Sequence, residues 1–143
     1  MLNKISVSEM TYGETYRNAK YSVTTPSGYV GIQIGVPNNE LDALLAKDGV
    51  NEACLMTAFN PLGQKVDDNI NARANQALES SIQAMSLPYY LGLGQDPKGD
   101  WQEESYLIMG IDIDGAKQLG SQYQQNAFVW IAKLSAPELV WLR

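Results

Sequence analysis

The sequence predicts a single α/β (α+β) domain over residues 1–143, in which about five to seven strands form a mixed sheet and three helices pack on it. Three observations predict this class. Short apolar segments with strand-like alternation are interspersed with longer segments of helical periodicity. The length is typical of one domain, and a hydrophobic content of 45% with 18% charged residues is typical of a globular chain. The predicted element order is β-β-α-β-α-β-β-α-β, and the order of strands within the sheet stays open.

A hairpin is predicted near the start of the chain. Residues 1–14 show no clear periodicity, and we expect a loosely ordered lead-in before a core of residues 15–132. Residues 15–24 and 29–36 contain alternating apolar side chains, which are typical of strands. Because a Pro-Ser-Gly turn signal separates these two segments, we expect them to pair in an antiparallel hairpin.

A first helix is predicted after this hairpin. Asn38 or Asn39 can serve as its N-cap, because a side-chain oxygen at that position accepts a hydrogen bond from a free backbone N–H. Its apolar stripe is expected to consist of three leucines, Leu41, Leu44 and Leu45.

The longest helix is predicted in the middle of the chain. The apolar run 52–59 first predicts a central strand that is covered on both faces. Asp67 or Asp68 is then expected to cap the helix, which continues to about residue 85. Asn71 falls on its polar face. The residues expected to point inward are Ile70, Ala74, Ala77, Leu78, Ile82 and Met85.

The second half of the chain is predicted to contain three further strands, at 87–93, 105–111 and 127–131. The residues between the first two are polar and are expected to form a loop. Asp112 or Asp114 is expected to cap the last helix. The tail, 133–143, is unusually apolar near its end, and we expect it either to dock on the sheet as an edge strand or to pair across a homodimer.

The composition excludes several classes of site. Sixteen acidic and ten basic residues give a net charge of −6, which argues against a nucleic-acid or anionic-membrane binder. The chain has no histidine, so His-based catalysis and the common zinc sites are excluded. Its one cysteine, Cys54, permits no internal disulfide and is expected to be a small buried hydrophobe. We therefore expect neither a metal nor a cofactor.

The sequence also predicts a cytoplasmic location. Its first ten residues lack the apolar segment of a secretory signal. No apolar run reaches the roughly 20 residues that a membrane span needs. We accordingly expect no membrane partner.

Three polar clusters interrupt the apolar pattern, each at the end of a predicted strand, at 57–61, 92–105 and 125–127. Ligands of α/β sheets bind at loops beyond strand ends, so convergence of these ends would create a pocket. Amides, hydroxyls, an indole and one or two carboxylates suit a polar ring or a sugar better than a metal. The expected ligand-binding residues are Thr57, Asn60, Arg73, Asn75, Gly92, Gly94, Asp96, Trp101, Glu104, Ser105, Gln125 and Asn126.

Each cluster also has a purely structural interpretation, which the sequence leaves open. Asn60 with the following proline is a common turn pair, Trp101 can cover the edge of the core, and Gln125 can cap the last helix. The acidic residues between Asp96 and Glu104 can form a solvated loop, because their spacing does not fit a calcium loop. The paired glycines of the second cluster lack the third glycine of a dinucleotide fingerprint.

At these clusters the sequence resembles the domain of unknown function 3293 family, small bacterial proteins that also occur in phages. The family pattern contains T-A-x-N-P, N-x-x-x-N-x-x-L, G-x-G-x-D, W-x-E-x-S and Q-N-A segments. The corresponding residues are Thr57-Ala58-Phe59-Asn60-Pro61; Asn71, Asn75 and Leu78; Gly92, Gly94 and Asp96; Trp101, Glu103 or Glu104, and Ser105; and Gln125-Asn126-Ala127. Of the two acids, Glu104 stands just before the serine and is taken as the match. Spanning roughly residues 15–132, the resemblance implies the fold class above and one shared site, but no activity.

Three functions fit these features. The first is a binding protein for a small polar ligand, of which a nucleotide-like molecule is one candidate, for example a phage-type protein that sequesters a signalling nucleotide. The second is a carboxylate-dependent hydrolase of a sugar or nucleotide, with Asp96 and Glu104 as its acid–base pair. The third is an acidic interaction or inhibitor module. Because a histidine base is missing, binding without catalysis is favoured.

Overall fold

A seven-stranded antiparallel sheet forms the centre of the fold. A computed structural model describes residues 5–143 of the chain. Within these residues the strands are β1 (Lys20–Thr25), β2 (Gly28–Ile32), β3 (Glu52–Met56), β4 (Tyr89–Gln95), β5 (Gln102–Met109), β6 (Ala127–Ala132) and β7 (Glu138–Trp141). The helices are α1 (Val7–Asn18), α2 (Asn39–Lys47), α3 (Asp68–Ala84) and α4 (Ile113–Gln122). The strand order is β2-β1-β4-β5-β3-β6-β7, and the predicted single α+β domain is confirmed.

The sequence predicted a mixed sheet, but the observed sheet is antiparallel throughout. Two helical crossovers explain the difference. Helix α3 connects β3 to β4, and α4 connects β5 to β6. The two strands of each connected pair run in the same direction, but one oppositely directed strand lies between them. Strand β5 separates β3 from β4, and β3 separates β5 from β6. The elements from β3 to β6 therefore have the ferredoxin-like split β-α-β arrangement.

Helices pack on both faces of the sheet. On one face, called the α3 face, Leu78 of α3 and Leu119 of α4 belong to one apolar cluster. On the other, called the α2 face, Leu41 of α2 belongs to a second cluster. Strand β3 is covered on both faces as predicted, and Cys54 is 0% exposed. No helix within residues 5–143 is both long enough and apolar enough to cross a membrane.

Several local predictions are confirmed. Strands β1 and β2 pair as an antiparallel hairpin, although β2 ends at Ile32 rather than at residue 36. Asn38 caps α2 by accepting from Leu41 N at 3.0 Å, and Asp112 caps α4 by accepting from Gly115 N at 2.6 Å. The tail forms the edge strand β7, which pairs with β6. Its apolar side chains pack on the sheet, Leu139 on the α2 face and Val140 on the α3 face.

Helix α1 was not predicted. The expected lead-in is wrong for residues 7–14, which are helical, and residues 1–4 lie outside the described part of the chain. The buried residues of α1 are Ser8 and Gly13, so no apolar stripe marks this helix in the sequence. Strand β1 consequently begins at Lys20 and not at residue 15, and the structure contains four helices in residues 5–143 instead of three.

The inward face of α3 also differs from the prediction. Leu78 and Ile82 are buried as expected, but Asn71 and Asn75 are buried beside them. These two asparagines can face inward because their amides bond to the backbone of neighbouring segments. Three residues that were expected to point inward are exposed instead, namely Ile70, Ala77 and Met85.

Strands β4 and β5 form a longer hairpin than predicted. Strand β4 continues to Gln95 and β5 already begins at Gln102. Glu103 and Glu104 therefore lie in a strand, where successive side chains point to opposite faces, and not in a polar loop.

Two isoleucines on α3 test the observed inward face. Ile82 is 0% exposed and Ile70 is 49% exposed. We expect Ile82→Ala to lower the free energy of unfolding by about 2–5 kcal/mol, because it leaves a cavity in the core. Ile70→Ala should change it by less than about 0.5 kcal/mol. Urea unfolding followed by circular dichroism would measure both, and equal losses would contradict the observed orientation of the helix.

Candidate functional site

The three polar clusters meet at one end of the sheet. Strand β3 runs antiparallel to both β5 and β6, so its C-terminal end lies beside the N-terminal ends of these strands. Strand β4 is antiparallel to β5, so its last residues reach the same end of the sheet. The strand ends therefore converge, as a shared site requires.

A cavity of about 70 Å³ lies on the α2 face, between α1 and these strand ends, and is called the inner cavity. Leu55, Val129 and Leu139 supply part of its apolar wall. The volume has room for a few water molecules or for one small polar group. Its polar and aromatic lining consists of Tyr16, Tyr21, Thr57, Trp101, Glu103, Ser105, Gln125 and Phe128.

A larger open space of about 520 Å³ adjoins the inner cavity and is called the outer cleft. It lies between α1 and the loop that joins β3 to α3. Tyr16, Trp101, Glu103 and Gln125 line both spaces, so these side chains form the boundary between them. The volume of the outer cleft is within the range of small-molecule sites.

Two glycines of β4 let neighbouring side chains pack closely against the strand beside the inner cavity. A Cβ at Gly92 would lie 2.7 Å from Leu55 Cδ1 and 2.8 Å from Ser105 Oγ, so no side chain fits without displacing its neighbours. A Cβ at Gly94 would lie 3.4 Å from the ring of Tyr21, which packs over the strand backbone there. The G-x-G pattern thus allows close packing in a strand, and this is one of the uses of glycine in sheets.

Ser105 has a hydroxyl without a partner. The residue is 6% exposed, and its Oγ is the one buried side-chain polar atom in residues 5–143 that makes no hydrogen bond. Buried hydroxyls nearly always have a partner, because leaving one unsatisfied costs about 1–3 kcal/mol. Since Ser105 also lines the inner cavity, a ligand in that cavity could supply the missing partner.

Glu103, and not Glu104, is the carboxyl at the inner cavity. Side chains alternate along β5, which places Glu103 on the α2 face with Ser105 and Leu107. Glu104 is exposed and lies on the α3 face with Tyr106. The sequence-based choice of Glu104 as a site residue is therefore not supported by the geometry.

Burial raises the pKa of Glu103 to about 7, while a hydrogen bond from Asn60 opposes part of this rise. Asn60 Nδ2 donates to Glu103 Oε1 over a long 3.4 Å. None of the described residues that line the inner cavity is basic, so no positive side chain stabilises the carboxylate there. A carboxyl with a pKa near 7 populates both protonation states at neutral pH and can exchange a proton with a ligand.

Tyr16 and Tyr21 form the wall that α1 and β1 contribute. The ring of Tyr16 stacks between those of Tyr12 and Trp141, with centroid distances of 5.6 and 5.3 Å. The Tyr21 hydroxyl donates to the backbone oxygen of Tyr16 at 2.7 Å. Burial raises the pKa of both phenols, and the nearby Glu103 raises it further.

Asn75 holds the end of β3 against the start of β5. Its Oδ1 accepts from Ala58 N at 2.8 Å and its Nδ2 donates to Glu104 O at 2.8 Å. Thr57 Oγ1 donates to the same Glu104 carbonyl at 2.6 Å. Both residues were expected to bind a ligand, but the structure shows that Asn75 positions the backbone. Thr57 does the same and also lines the inner cavity.

The loop after β3 has an unusual backbone that its neighbours stabilise. Asn60 has a φ of 48°, and its N donates to Asn71 Oδ1 at 2.8 Å while Asn71 Nδ2 donates to Asn60 Oδ1 at 3.0 Å. Asparagine is one of the few non-glycine residues that adopts this left-handed region at low cost. Leu62 and Gln124 also have positive φ, and Leu62 N donates to Gln124 O at 2.7 Å. Strain of this type concentrates at functional sites.

Several predicted residues lie outside both spaces. Asp96 Oδ1 accepts from Trp101 N at 3.1 Å and so shapes the turn between β4 and β5. Arg73 is exposed on α3. Asn126 Nδ2 donates to the Tyr16 hydroxyl at 3.4 Å, so it supports the wall without lining the cavity. Neither carboxylate of the expected catalytic pair lines the inner cavity or the outer cleft.

Half of the predicted ligand-binding residues line the two spaces, namely Thr57, Asn60, Gly94, Trp101, Ser105 and Gln125. The prediction missed Glu103, Tyr16 and Tyr21. A signal for Glu103 existed, because the W-x-E-x-S spacing counted from Trp101 places the acid there, and strand alternation from Ser105 gives the same residue. The two tyrosines had no comparable signal, since they belong to elements outside the three clusters.

The site offers hydrogen bonds, aromatic surface and one titratable carboxyl. Among residues 5–143, no group of three or more Cys, Asp and Glu side chains is placed to hold a metal ion. Cys54 is fully buried, and burial raises the pKa of its thiol, so it is a core residue as predicted.

A family model described as protein of unknown function (DUF3293) matches residues 56–128, just over half of the chain. The matched segment begins at the end of β3 and extends into β6, so it contains all three polar clusters. It is shorter than the 15–132 span over which the sequence resemblance was expected, and it omits Tyr16 and Tyr21. No curated protein and no solved structure matches the chain.

The buried asparagines of α3 provide a second test. We expect Asn75→Ala to lower the free energy of unfolding by about 1–3 kcal/mol, because the buried Ala58 N would lose its partner and Glu104 O would lose one of its two side-chain donors. Asn69→Ala is the matched control, because Asn69 lies on the same helix and is exposed. Equal unfolding free energies for the two variants in urea would show that the hydrogen bonds of Asn75 contribute nothing to stability.

The raised pKa of Glu103 predicts a pH-dependent cost of folding. The unfolded chain has the ordinary Glu pKa of 4.5, so the folded state retains the proton more strongly and its stability falls between about pH 4.5 and pH 7. Glu103→Gln should remove this loss, which amounts to roughly 1–3 kcal/mol at pH 8. Urea unfolding at pH 5 and pH 8 would measure it, with Glu104→Gln as the exposed neighbouring control. If wild type and Glu103→Gln respond identically to pH, the carboxyl is not buried as described.

Proposed function

We propose that this chain, which belongs to the DUF3293 family of proteins of unknown function, binds a small polar molecule in the outer cleft and inner cavity. The observation that carries the proposal is the buried Ser105 hydroxyl, which has no partner within residues 5–143 and belongs to a residue that lines the inner cavity together with Glu103. Folding alone gains nothing from burying these groups without full partners. A ligand that supplies the partners would regain the cost.

The outer cleft favours a ring-containing ligand of moderate size. Its 520 Å³ is sufficient for a nucleoside or a monosaccharide, and the Trp101 indole at the boundary offers an aromatic surface. Among the described residues, three acids line the cleft, Asp68, Asp100 and Glu103, with a single base, Lys65. This balance disfavours a ligand with several phosphates. In a nucleotide-like ligand, the ring would approach the inner cavity and a phosphate would remain near Lys65.

A carboxylate-dependent hydrolase is the second candidate, and one observation favours it. The pKa of Glu103 is about 7, which suits a general acid or base at neutral pH. The role would belong to Glu103 rather than to Asp96 and Glu104. The proposal keeps the cytoplasmic location that the sequence predicts and requires no metal, nucleic acid or second protein.

A thermal-shift screen of nucleosides, nucleotides, sugars and organic amines tests the binding proposal. A ligand at about 100-fold excess over its dissociation constant should add about 2.7 kcal/mol to the stability. Ser105→Ala should raise the dissociation constant of a ligand found in the screen by roughly tenfold, because one hydrogen bond is lost. It should not destabilise the free protein, since the hydroxyl it removes has no partner there.

Matched variants make the screen specific. Trp101→Ala should also weaken binding, whereas Glu104→Gln should leave it unchanged, because that side chain is exposed on the opposite face. The proposal would be refuted if every ligand found binds Ser105→Ala and Trp101→Ala as tightly as the unaltered protein, or if the screen finds no ligand. Recovery of the ligand intact after long incubation would separate binding from hydrolysis.

A further inference from the structure

Two side chains that line the inner cavity, Gln125 and Tyr21, use their hydrogen-bond donors within the protein. Gln125 Nε2 donates to Phe59 O at 3.1 Å and to Tyr123 O at 3.3 Å, so within the described residues its Oε1 is the atom left for a ligand. The Tyr21 hydroxyl proton is also used, in the hydrogen bond to the backbone of Tyr16. The donors of these side chains are therefore satisfied by the protein, and their acceptors are not.

Glu103 adds further acceptors to this set. Its Oε1 receives only the long bond from Asn60, and the described residues lining the inner cavity include no Lys or Arg. A buried carboxyl is normally paired with a positive charge, because an unpaired carboxylate is costly to desolvate. The protein thus presents a carboxyl whose partner is missing, in a cavity that is open to a ligand.

Aromatic side chains and the surrounding charges also favour a cation. Trp101, Tyr16 and Tyr21 line the inner cavity, and organic cations are attracted to aromatic rings. Trp101 extends this aromatic surface into the outer cleft, where Asp68 and Asp100 outnumber Lys65. An approaching cation therefore meets an acidic entrance before it reaches the carboxyl.

We propose that the ligand is an organic cation that places a guanidinium or ammonium group in the inner cavity, where Glu103, Ser105 and Gln125 accept its hydrogen bonds. The inference rests on the proposed function and adds the chemical class of the ligand. The cavity of about 70 Å³ suits the cationic group alone, and the rest of the molecule would lie in the outer cleft. A planar guanidinium fits a carboxylate with two parallel hydrogen bonds.

Binding of such a cation should depend on pH in a defined direction. The cation favours the ionised form of Glu103, so affinity should rise as the pH increases towards and through the pKa of about 7. The titratable and charged groups that face Glu103 from other elements are Tyr12, Tyr16 and Tyr21 on α1 and β1, and Lys65, Asp68 and Asp100 around the outer cleft. A neutral ligand that accepts a proton from Glu103 would show the opposite dependence.

Three small probes of similar shape test the inference by calorimetry. Butylguanidine carries charge and donors, butylurea carries donors without charge, and butyltrimethylammonium carries charge without donors. We expect butylguanidine to bind at least tenfold more tightly than the other two at pH 8, and to lose roughly tenfold or more in affinity at pH 5.5. Glu103→Gln should abolish both the preference for butylguanidine and the pH dependence of its affinity, whereas Glu104→Gln should retain both.

The outcomes separate this inference from the proposed function. Equal binding of butylurea and butylguanidine, or an affinity that falls with rising pH in the unaltered protein, overturns the cationic ligand and leaves small-molecule binding intact. The same holds if butylguanidine fails to bind while a neutral compound from the broad screen binds. If neither the probes nor the screen yield a ligand, the inference and the proposed function both fail. The pH profile of the unaltered protein keeps the test valid even if Glu103→Gln does not fold.

Discussion

The pairing of β3 with β5 on one side and β6 on the other is the constraint on which the site depends. Because both neighbours run antiparallel to β3, one strand end and two strand starts are brought together at the same end of the sheet. Asn75 secures this junction, since its amide joins the backbone just after β3 to the backbone of β5. The ferredoxin-like split arrangement of β3 to β6 thus creates the convergence, and a buried side chain maintains it.

The amide and hydroxyl groups at this junction divide into two sets with different uses. Asn71 and Asn75 both bond to the loop after β3, and Asn75 bonds to β5 as well, which allows that loop to keep a left-handed residue at Asn60. Ser105 and Glu103, by contrast, face a cavity with few or no partners. Buried polar groups are costly unless they are satisfied, so the first set stabilises the fold and the second is free for a ligand.

Only a few of the acids behind the net charge of −6 lie at the candidate site. The acids that matter are those of the outer cleft and the single carboxyl at its boundary with the inner cavity, and the described residues lining the inner cavity hold no base that could neutralise it. Low dielectric surroundings strengthen the attraction of that carboxyl for a positive group. Burial therefore raises the pKa of Glu103 and also strengthens the preference of the cavity for a cation.

The sequence by itself determined the features that arise within one segment: the class of the domain, the caps Asn38 and Asp112, the first hairpin, and the polar clusters at strand ends. Only the tertiary structure decided the antiparallel strand order, the presence of α1, and the choice of Glu103 over Glu104. The reason is physical. Caps, turns and periodicity depend on neighbours a few residues away, whereas strand order, the packing of a helix without an apolar stripe, and the face on which a cavity opens depend on contacts between distant segments.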